Sequence, residues 1–384
     1  MLNLRLDVES GELDGTPELA VPREGRGPGL LLVGDDSVDR NWLTDTAGLM
    51  AEEGYVALSL LVKGRGNEVR EAQAATLVES AARCLRKRPE LDGPVGLIDF
   101  TGGANGGLHA AKVELVSCVV IYGDLRRSIG ASNPKDIAVP TMIHMAEDSA
   151  PEPSVSVALR AQPYISLHIY PKTSGDFFCD ASPRHVRPAA MIAYSRSLGL
   201  LRRVLGPKID LEALWDEHLF YEFGTKDALA TINTMVDDCY VNHIPNMTGG
   251  VGRKYLHRFY KHHFIPKTPD VEMIPISRTV GADRIVDEFV ATFVHDREID
   301  WLLPGVPPTG RRVSVPTVSI VCFRGRKLYH EHIYWDQASV LVQIGRLDPQ
   351  GLPVAGVEVA RKVLDNTNPS NELMPNWKTS EGMD

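Results

Sequence analysis

The 384-residue chain is 43% apolar and 24% charged, the balance of an ordinary globular protein long enough for two domains. Its net charge of −9 argues against the basic face that nucleic-acid binding needs, and no apolar run approaches the roughly 20 residues of a membrane span. Cys84, Cys118, Cys179, Cys239 and Cys322 are scattered, odd in number and without a CxxC pair, and "MLNLRLDVES" lacks a basic stretch followed by an apolar one. These features suit buried thiols in a reducing cytoplasm, with no membrane or nucleic-acid partner.

From Gly29 to Leu200, short apolar runs alternate with helical patterns. "GLLLVG" (29–34) predicts a buried strand, "LTDTAGLMAEEG" (43–54) a helix stopped by Gly54, "YVALSLL" (55–61) a strand and residues 70–88 a helix. "VGLIDF" (95–100), "SCVVIYG" (117–123), "VPTMIHMA" (139–146) and "ISLHIY" (165–170) predict further strands, and residues 188–204 a closing helix. Continuous apolar strands between helices imply a mostly parallel sheet covered on both faces.

From Leu211 the pattern changes. "LEALWDEHLFYEF", "KDALATINTMVDD" and "GRKYLHRFYKHHF" predict helices, with "YVNHIPNMTGGVG" (240–252) as a loop between two of them. "VEMIPISRTVG", "RIVDEFVATFVHD", "RRVSVPTVSIVCFRG" and "RKLYHEHIYWDQ" alternate as half-buried antiparallel strands do. Residues 348–384 are expected to be a poorly ordered tail carrying one short helix.

"GLIDFTGG" (96–103) reads as strand, tight turn and helix. Together with "AEEGYVALSL", "VVIYG", "VPTMIHMAEDSAPEP", "LHIYPKTSGDFF" and "AAMIAYSRSLGLLRRVLG", in that order, it makes residues 1–205 resemble the dienelactone hydrolases, a branch of the α/β-hydrolases. The resemblance implies a cysteine nucleophile, a histidine base and an aspartate orienter. The cysteine position falls on Phe100 and the histidine position on Gly175; Asp148 alone matches. Asp99, Thr101 and His185 are weak substitutes, so the first domain is expected to be a pseudo-hydrolase whose turn survives for packing.

Residues 211–347 resemble the SnoaL-like polyketide cyclases, whose cone-shaped α+β fold is shared with ketosteroid isomerase. "GVPPTGRRVSVPTVSIVCF" (305–323) and "GRKLYHEHIYWDQASVLVQIG" (325–345) carry that likeness, with "DEFVATFVHD" (287–296) at the cavity-lining strand. The resemblance implies a pocket and pairing of two copies through their sheets; it leaves the reaction open. Alternation puts His330, His332, Tyr334 and Asp336 on one face of the last strand and Glu331, Ile333 and Trp335 on the other. Asp287, Phe289, Ala291, Phe293 and His295 share a face of the earlier strand. Since successive strand residues oppose each other, His330, Glu331 and His332 make a poor metal set, and no metal or cofactor is expected.

The resulting expectation is an acid–base enzyme for a small, largely apolar carbonyl compound or lactone, working by isomerisation, cyclisation, hydration or hydrolysis. Asp336 is the expected base or orienter, with His332, His243 and His295 as proton donors or oxyanion partners. Asp287, Trp301, Trp335 and Tyr334 are the expected substrate contacts. Asp336 reads equally well as a helix N-cap. The alternatives are ester or lactone hydrolysis in the first domain, and a non-catalytic ligand-binding or scaffold protein.

Overall fold

A computed structural model describes residues 2–3, 17–62, 68–102, 107–112, 114–125 and 134–383. The chain divides into two compact units, Met1–Ile209 and Asp210–Asp384, and each encloses its own apolar core.

Unit 1 begins with two short strands, β1 (Leu2–Asn3) and β2 (Glu18–Ala20). The uninterrupted apolar runs then form β3 (Gly27–Gly34), β4 (Val56–Leu61), β5 (Leu91–Asp99), β6 (Val119–Tyr122), β7 (Thr141–Ala146) and β8 (Ile165–Tyr170). Their order is β1-β2-β4-β3-β5-β6-β7-β8; β3 to β8 pair in parallel, and β1 and β2 add an antiparallel edge. Between the strands lie α1 (Arg40–Glu52), α2 (Glu68–Arg86), α3 (Gly107–Lys112) and α4 (Pro153–Arg160), and α5 (Arg187–Val204) closes the unit. Asp39 starts α1 by accepting from Trp42 N at 3.0 Å, as an N-cap should.

The turn after β5 keeps its glycines for steric reasons. Gly102 has φ +75°, and a Cβ there would lie 2.4 Å from the Asp124 carbonyl oxygen. At Gly107 a Cβ would meet the Asp99 carboxylate at 2.4 Å. That carboxylate accepts from Gly107 N at 2.9 Å and so ties the strand end to the start of α3. Gly103 and Gly106 lie outside the described residues.

Unit 2 opens with α6 (Leu211–Leu219), which runs into a π-helical turn at Phe220–Gly224, and α7 (Ala228–Asn233). The expected continuation of that helix to Asp238 does not occur. Residues Met235–His243 form strand β9, which turns into β10 (Thr248–Val251). The strand's period of two, buried at Cys239, Val241 and His243, is interrupted by Asp237 and Asp238, which gives its sequence the look of a helix end and a loop. Then come α8 (Arg253–Phe259), a second π-helical turn at Tyr260–Phe264, and β11 (Glu272–Val280), β12 (Arg284–Val294), β13 (Arg312–Arg324) and β14 (Lys327–Trp335). The sheet order is β10-β9-β14-β13-β12-β11. All its pairs are antiparallel except β14 with β9.

The segment expected to be a disordered tail is partly built in. From within α9 (Gln337–Gln343), Ser339 Oγ donates to Gly356 O at 2.8 Å, and α10 (Glu358–Leu364) buries Ala360. Because unit 2 has its own sheet and core, a fragment starting at residue 208 should unfold in one cooperative transition on chemical denaturation. A fragment with native-like secondary structure but no such transition would show that its core is incomplete alone.

Candidate active site

In unit 1 the place where a nucleophile would sit is filled. Phe100 is buried in an aromatic group, 4.9 Å from the Trp42 ring, 5.3 Å from Tyr122 and 5.6 Å from Phe178 between centroids. Asp99 is fully committed: its carboxylate accepts from Thr101 N, Thr101 Oγ1 and Gly107 N. Asp148 is exposed and accepts from Gly175 N at 3.2 Å. A side chain at Gly175 would run into the Arg184 guanidinium, 3.2 Å from the Cβ position.

One serine–histidine pair does exist here, and the sequence reading missed it. His144 Nε2 lies 3.1 Å from Ser197 Oγ, and His144 Nδ1 lies 2.8 Å from Tyr170 Oη. Ser197 Oγ donates to Ala193 O and also contacts Tyr122 Oη at 2.8 Å. All four residues are buried, and burial holds the His144 pKa well below its usual value. A serine whose proton and lone pairs are all engaged by buried neighbours is structural.

Unit 2 contains an apolar cavity of about 90 Å3 between its helices and the inner face of its sheet. Trp215, Phe259, Phe264, Phe289, Phe293, Trp301 and Trp335 supply most of the wall, and Glu222, Glu331, Tyr260 and His243 supply polar groups. Glu331 comes from the middle of β14, beside Val321 on β13 and Val241 on β9. Its Oε1 is buried and makes no hydrogen bond among the described residues, and His218 Nε2 lies 3.5 Å away. Burial raises the Glu331 pKa from 4.5 to about 7, with His218 pulling it down and Glu222 pushing it up.

Behind this carboxyl, His218 Nε2 is 3.1 Å from Glu222 Oε1 and Nδ1 is 2.6 Å from Thr234 Oγ1. Thr234 Oγ1 donates to Thr231 O at 2.7 Å, so its oxygen accepts the proton of Nδ1. The Nε2–Glu222 contact then needs a second proton, which makes the ring an imidazolium or the partner a neutral acid. Burial lowers the His218 pKa, but Glu222 and Glu331 outweigh it and the net shift is upward. The imidazolium form therefore fits. Tyr260 Oη, also buried, makes no hydrogen bond of good geometry among the described residues. Burial, Glu331 and Glu222 together push its pKa far up, so it stays a donor.

The four residues expected to converge do not. His243 ends β9 and lines the cavity with Trp301 and Trp335, but His295, His332 and Asp336 do not. The alternation along β14 is as expected, but the face turned to the cavity is the one with Glu331, Ile333 and Trp335. His332 and Tyr334 are on the opposite face, where Tyr240 meets His332 at 5.4 Å. Asp336 caps α9, accepting from Ala338 N at 3.0 Å and Ser339 N at 3.2 Å. His295 is buried against Thr309 Oγ1 at 3.1 Å. Asp287 is no substrate contact; it accepts from Trp215 Nε1 at 2.9 Å and from both ends of the Arg278 fork. Glu222, His218 and Tyr260 were missed because their "EHLFYE" and "RFYKHH" contexts look like exposed amphipathic helix. The one available signal was the opposite face of β14.

No protein-family profile matches the chain. Carboxymethylenebutenolidase of Pseudomonas sp. (strain P51) is 25% identical over 228 residues, spanning 52% of this chain and 94% of that protein. A protein described as a dienelactone hydrolase from Klebsiella pneumoniae covers 48% of this chain at 17% identity and a TM-score of 0.40, with 90% of its own chain included. A protein described as a SnoaL-like polyketide cyclase from Jannaschia sp. CCS1 covers 37% at 19% identity and a TM-score of 0.30, with 99% of its own chain included. The parallel sheet of unit 1 and the α+β layout of unit 2 are the two layouts expected from the sequence. Among the described residues there is no three-residue group suited to a metal ion, and no helix is long and apolar enough to cross a membrane.

Two substitutions check these assignments. Phe100→Ala should cost about 3–5 kcal/mol in a denaturant titration, as removal of a buried aromatic ring does, and should yield no p-nitrophenyl ester hydrolysis. Asp336→Asn should leave stability within a few tenths of a kcal/mol, and Asp336→Ala should cost about 1 kcal/mol, because asparagine caps a helix as well as aspartate.

Proposed function

We propose that unit 2 is a cofactor-independent acid–base enzyme acting on a small, largely apolar carbonyl compound or lactone. The observation that carries this reading is Glu331: a carboxyl in an apolar cavity, with one oxygen free of hydrogen bonds and a pKa raised by burial to about 7. A base works best when its pKa is near the ambient pH, since it is then both available and strong. Glu331 takes the proton from the acidified carbon or from a water, and Tyr260 donates to the oxygen on which charge develops. His218, clamped by Thr234 and Glu222, is a positioning residue that keeps a positive charge 3.5 Å from Glu331 Oε1. Isomerisation, cyclisation, hydration and hydrolysis all begin with such a transfer.

The direct test is deuterium wash-in from D2O at the α-carbon of a panel of apolar ketones and lactones, followed by NMR. Wild-type protein should accelerate exchange for at least one member, and Glu331→Gln should lower that rate by about 100-fold or more. Exchange that is unaffected by Glu331→Gln, or the absence of both exchange and lactone hydrolysis for every compound, overturns the assignment.

The pKa shift also fixes how stability depends on pH. The folded state holds the Glu331 proton more tightly than the unfolded state, so its stabilisation is complete below 4.5 and declines as pH rises toward 7. Glu331→Gln, which stays neutral, should therefore gain stability relative to wild type between pH 5 and pH 8 in paired denaturant titrations. A gap that does not change with pH would show that Glu331 titrates normally.

A further inference from the structure

His243 occupies a different part of the cavity from the carboxyl pair, and its surroundings determine its tautomer. Nδ1 is 3.0 Å from Thr248 Oγ1. That hydroxyl lies 2.7 Å from Trp301 O and 3.0 Å from Asn246 Oδ1. The Asn246 amide is oriented by its nitrogen, which donates to Trp301 O at 2.7 Å and Leu302 O at 3.2 Å. Two oxygens with no proton to give thus surround Thr248 Oγ1, so its own proton must go to one of them. A proton on Oγ1 pointing at His243 would instead leave bare oxygens 2.7 and 3.0 Å apart. Nδ1 therefore carries the hydrogen, and Nε2 presents a lone pair.

The ring is buried, with Phe264 stacked on it at 5.9 Å and 10° and Trp301 at 4.9 Å. It lines the cavity, and no described residue is hydrogen-bonded to Nε2. Burial lowers the His243 pKa from 6.5 to about 3, so the ring stays neutral through the physiological range. A neutral imidazole with a fixed bare nitrogen cannot hold an anion. It can accept a hydrogen bond.

We propose that His243 Nε2 is the recognition site for a ligand hydroxyl, making the cavity specific for apolar, uncharged molecules that carry an alcohol, enol or phenol O–H. Register places His243 beside Ile333 and Val241 beside Glu331. His243 is therefore one strand over and two residues along from the carboxyl, about 8 Å at the backbone. The substrate of the acid–base site would then carry its hydroxyl at a distance from the reacting centre. That last statement rests on the proposed function; the hydroxyl contact does not.

The test uses full-length protein with 2-naphthol and its methyl ether, 2-methoxynaphthalene, titrated by calorimetry. Wild type should bind the naphthol about tenfold or more tightly, the scale of one buried hydrogen bond. His243→Phe, which keeps an aromatic ring and removes Nε2, should abolish the preference. Thr248→Val, which removes the acceptor of Nδ1–H and frees the tautomer, should reduce or reverse it, and it decides the matter if His243→Phe does not fold. Equal affinity for the two ligands in wild type, no binding of either at their solubility limit, or a preference that survives the substitution overturns the proposal. Glu331→Gln should keep the preference while losing deuterium exchange. A wild-type preference without any exchange or lactone hydrolysis would sink the acid–base reading and leave the hydroxyl site standing.

Discussion

Placing one ionisable carboxyl on the interior face of a central strand sets most of what surrounds it. An ionised Glu331 flanked by Val241 and Val321 would be prohibitively costly alone, and the chain answers with a histidine rather than an arginine or lysine. His218 sits against both Glu331 and Glu222, so the cluster can hold its protons in more than one arrangement. A permanent cation would pull the Glu331 pKa into the normal carboxylate range and leave a weak base. The support extends outward. Arg278 grips Asp287, Asp287 receives the Trp215 indole N–H, and Trp215 stacks on His218 at 5.6 Å and 16°. Asp287, expected to meet substrate, instead helps hold a cavity wall.

One buried polar cluster in each unit shows two different ways of completing such groups. In unit 1, His144, Ser197, Tyr122 and Tyr170 satisfy one another, and Asp99 is saturated by the turn it stabilises. Such closed networks rigidify a core and leave nothing for a reactant. In unit 2, Glu331 Oε1 makes no hydrogen bond among the described residues and lies beside an open volume, and Tyr260 Oη, close to Glu222, makes none of good geometry. Unmade hydrogen bonds in a buried site are retained at a cost of about 1–3 kcal/mol each, and a ligand that completes them recovers it. The buried polar cluster around His144 is completed by its own neighbours, whereas the cluster around Glu331 leaves an open position facing the cavity.

Most of the fold was legible because strand type shows in the pattern: β3 to β8 are continuous apolar runs and β11 to β14 alternate. What failed was β9, where Asp237 and Asp238 break the alternation, and the tail, whose attachment through Gly356 to Ser339 leaves no mark in composition. The site failed for a different reason. Alternation sorts side chains into two sets and says nothing about which set the helices cover. His330, His332, Tyr334 and Asp336 looked like the chemical face because they are polar. The inner face carries a lone carboxyl between apolar neighbours, Glu331 with Ile333 and Trp335, which is what a functional group in an apolar cavity should look like. Phe100 and Gly175 were legible because each lies at a fixed point of a motif.

His218 and His243 show how far a local clamp determines chemistry. Both give Nδ1–H to a threonine hydroxyl whose own proton is directed at carbonyl or amide oxygen, so both turn Nε2 toward the site. Their titration differs in direction: His218 is raised by Glu222 and Glu331, and His243, with no carboxylate against it, is lowered to about 3 by burial. The same geometry therefore yields a cation next to the base and a neutral acceptor elsewhere in the cavity. The threonines decide which nitrogen faces the ligand, and the carboxylates decide whether that nitrogen carries a proton. An imidazolium at His243 would repel the hydroxyl hydrogen it is placed to receive, and a neutral His218 would leave Glu331 without its counter-charge. The separation of carboxylates from His243 matters as much to the site as their presence around His218.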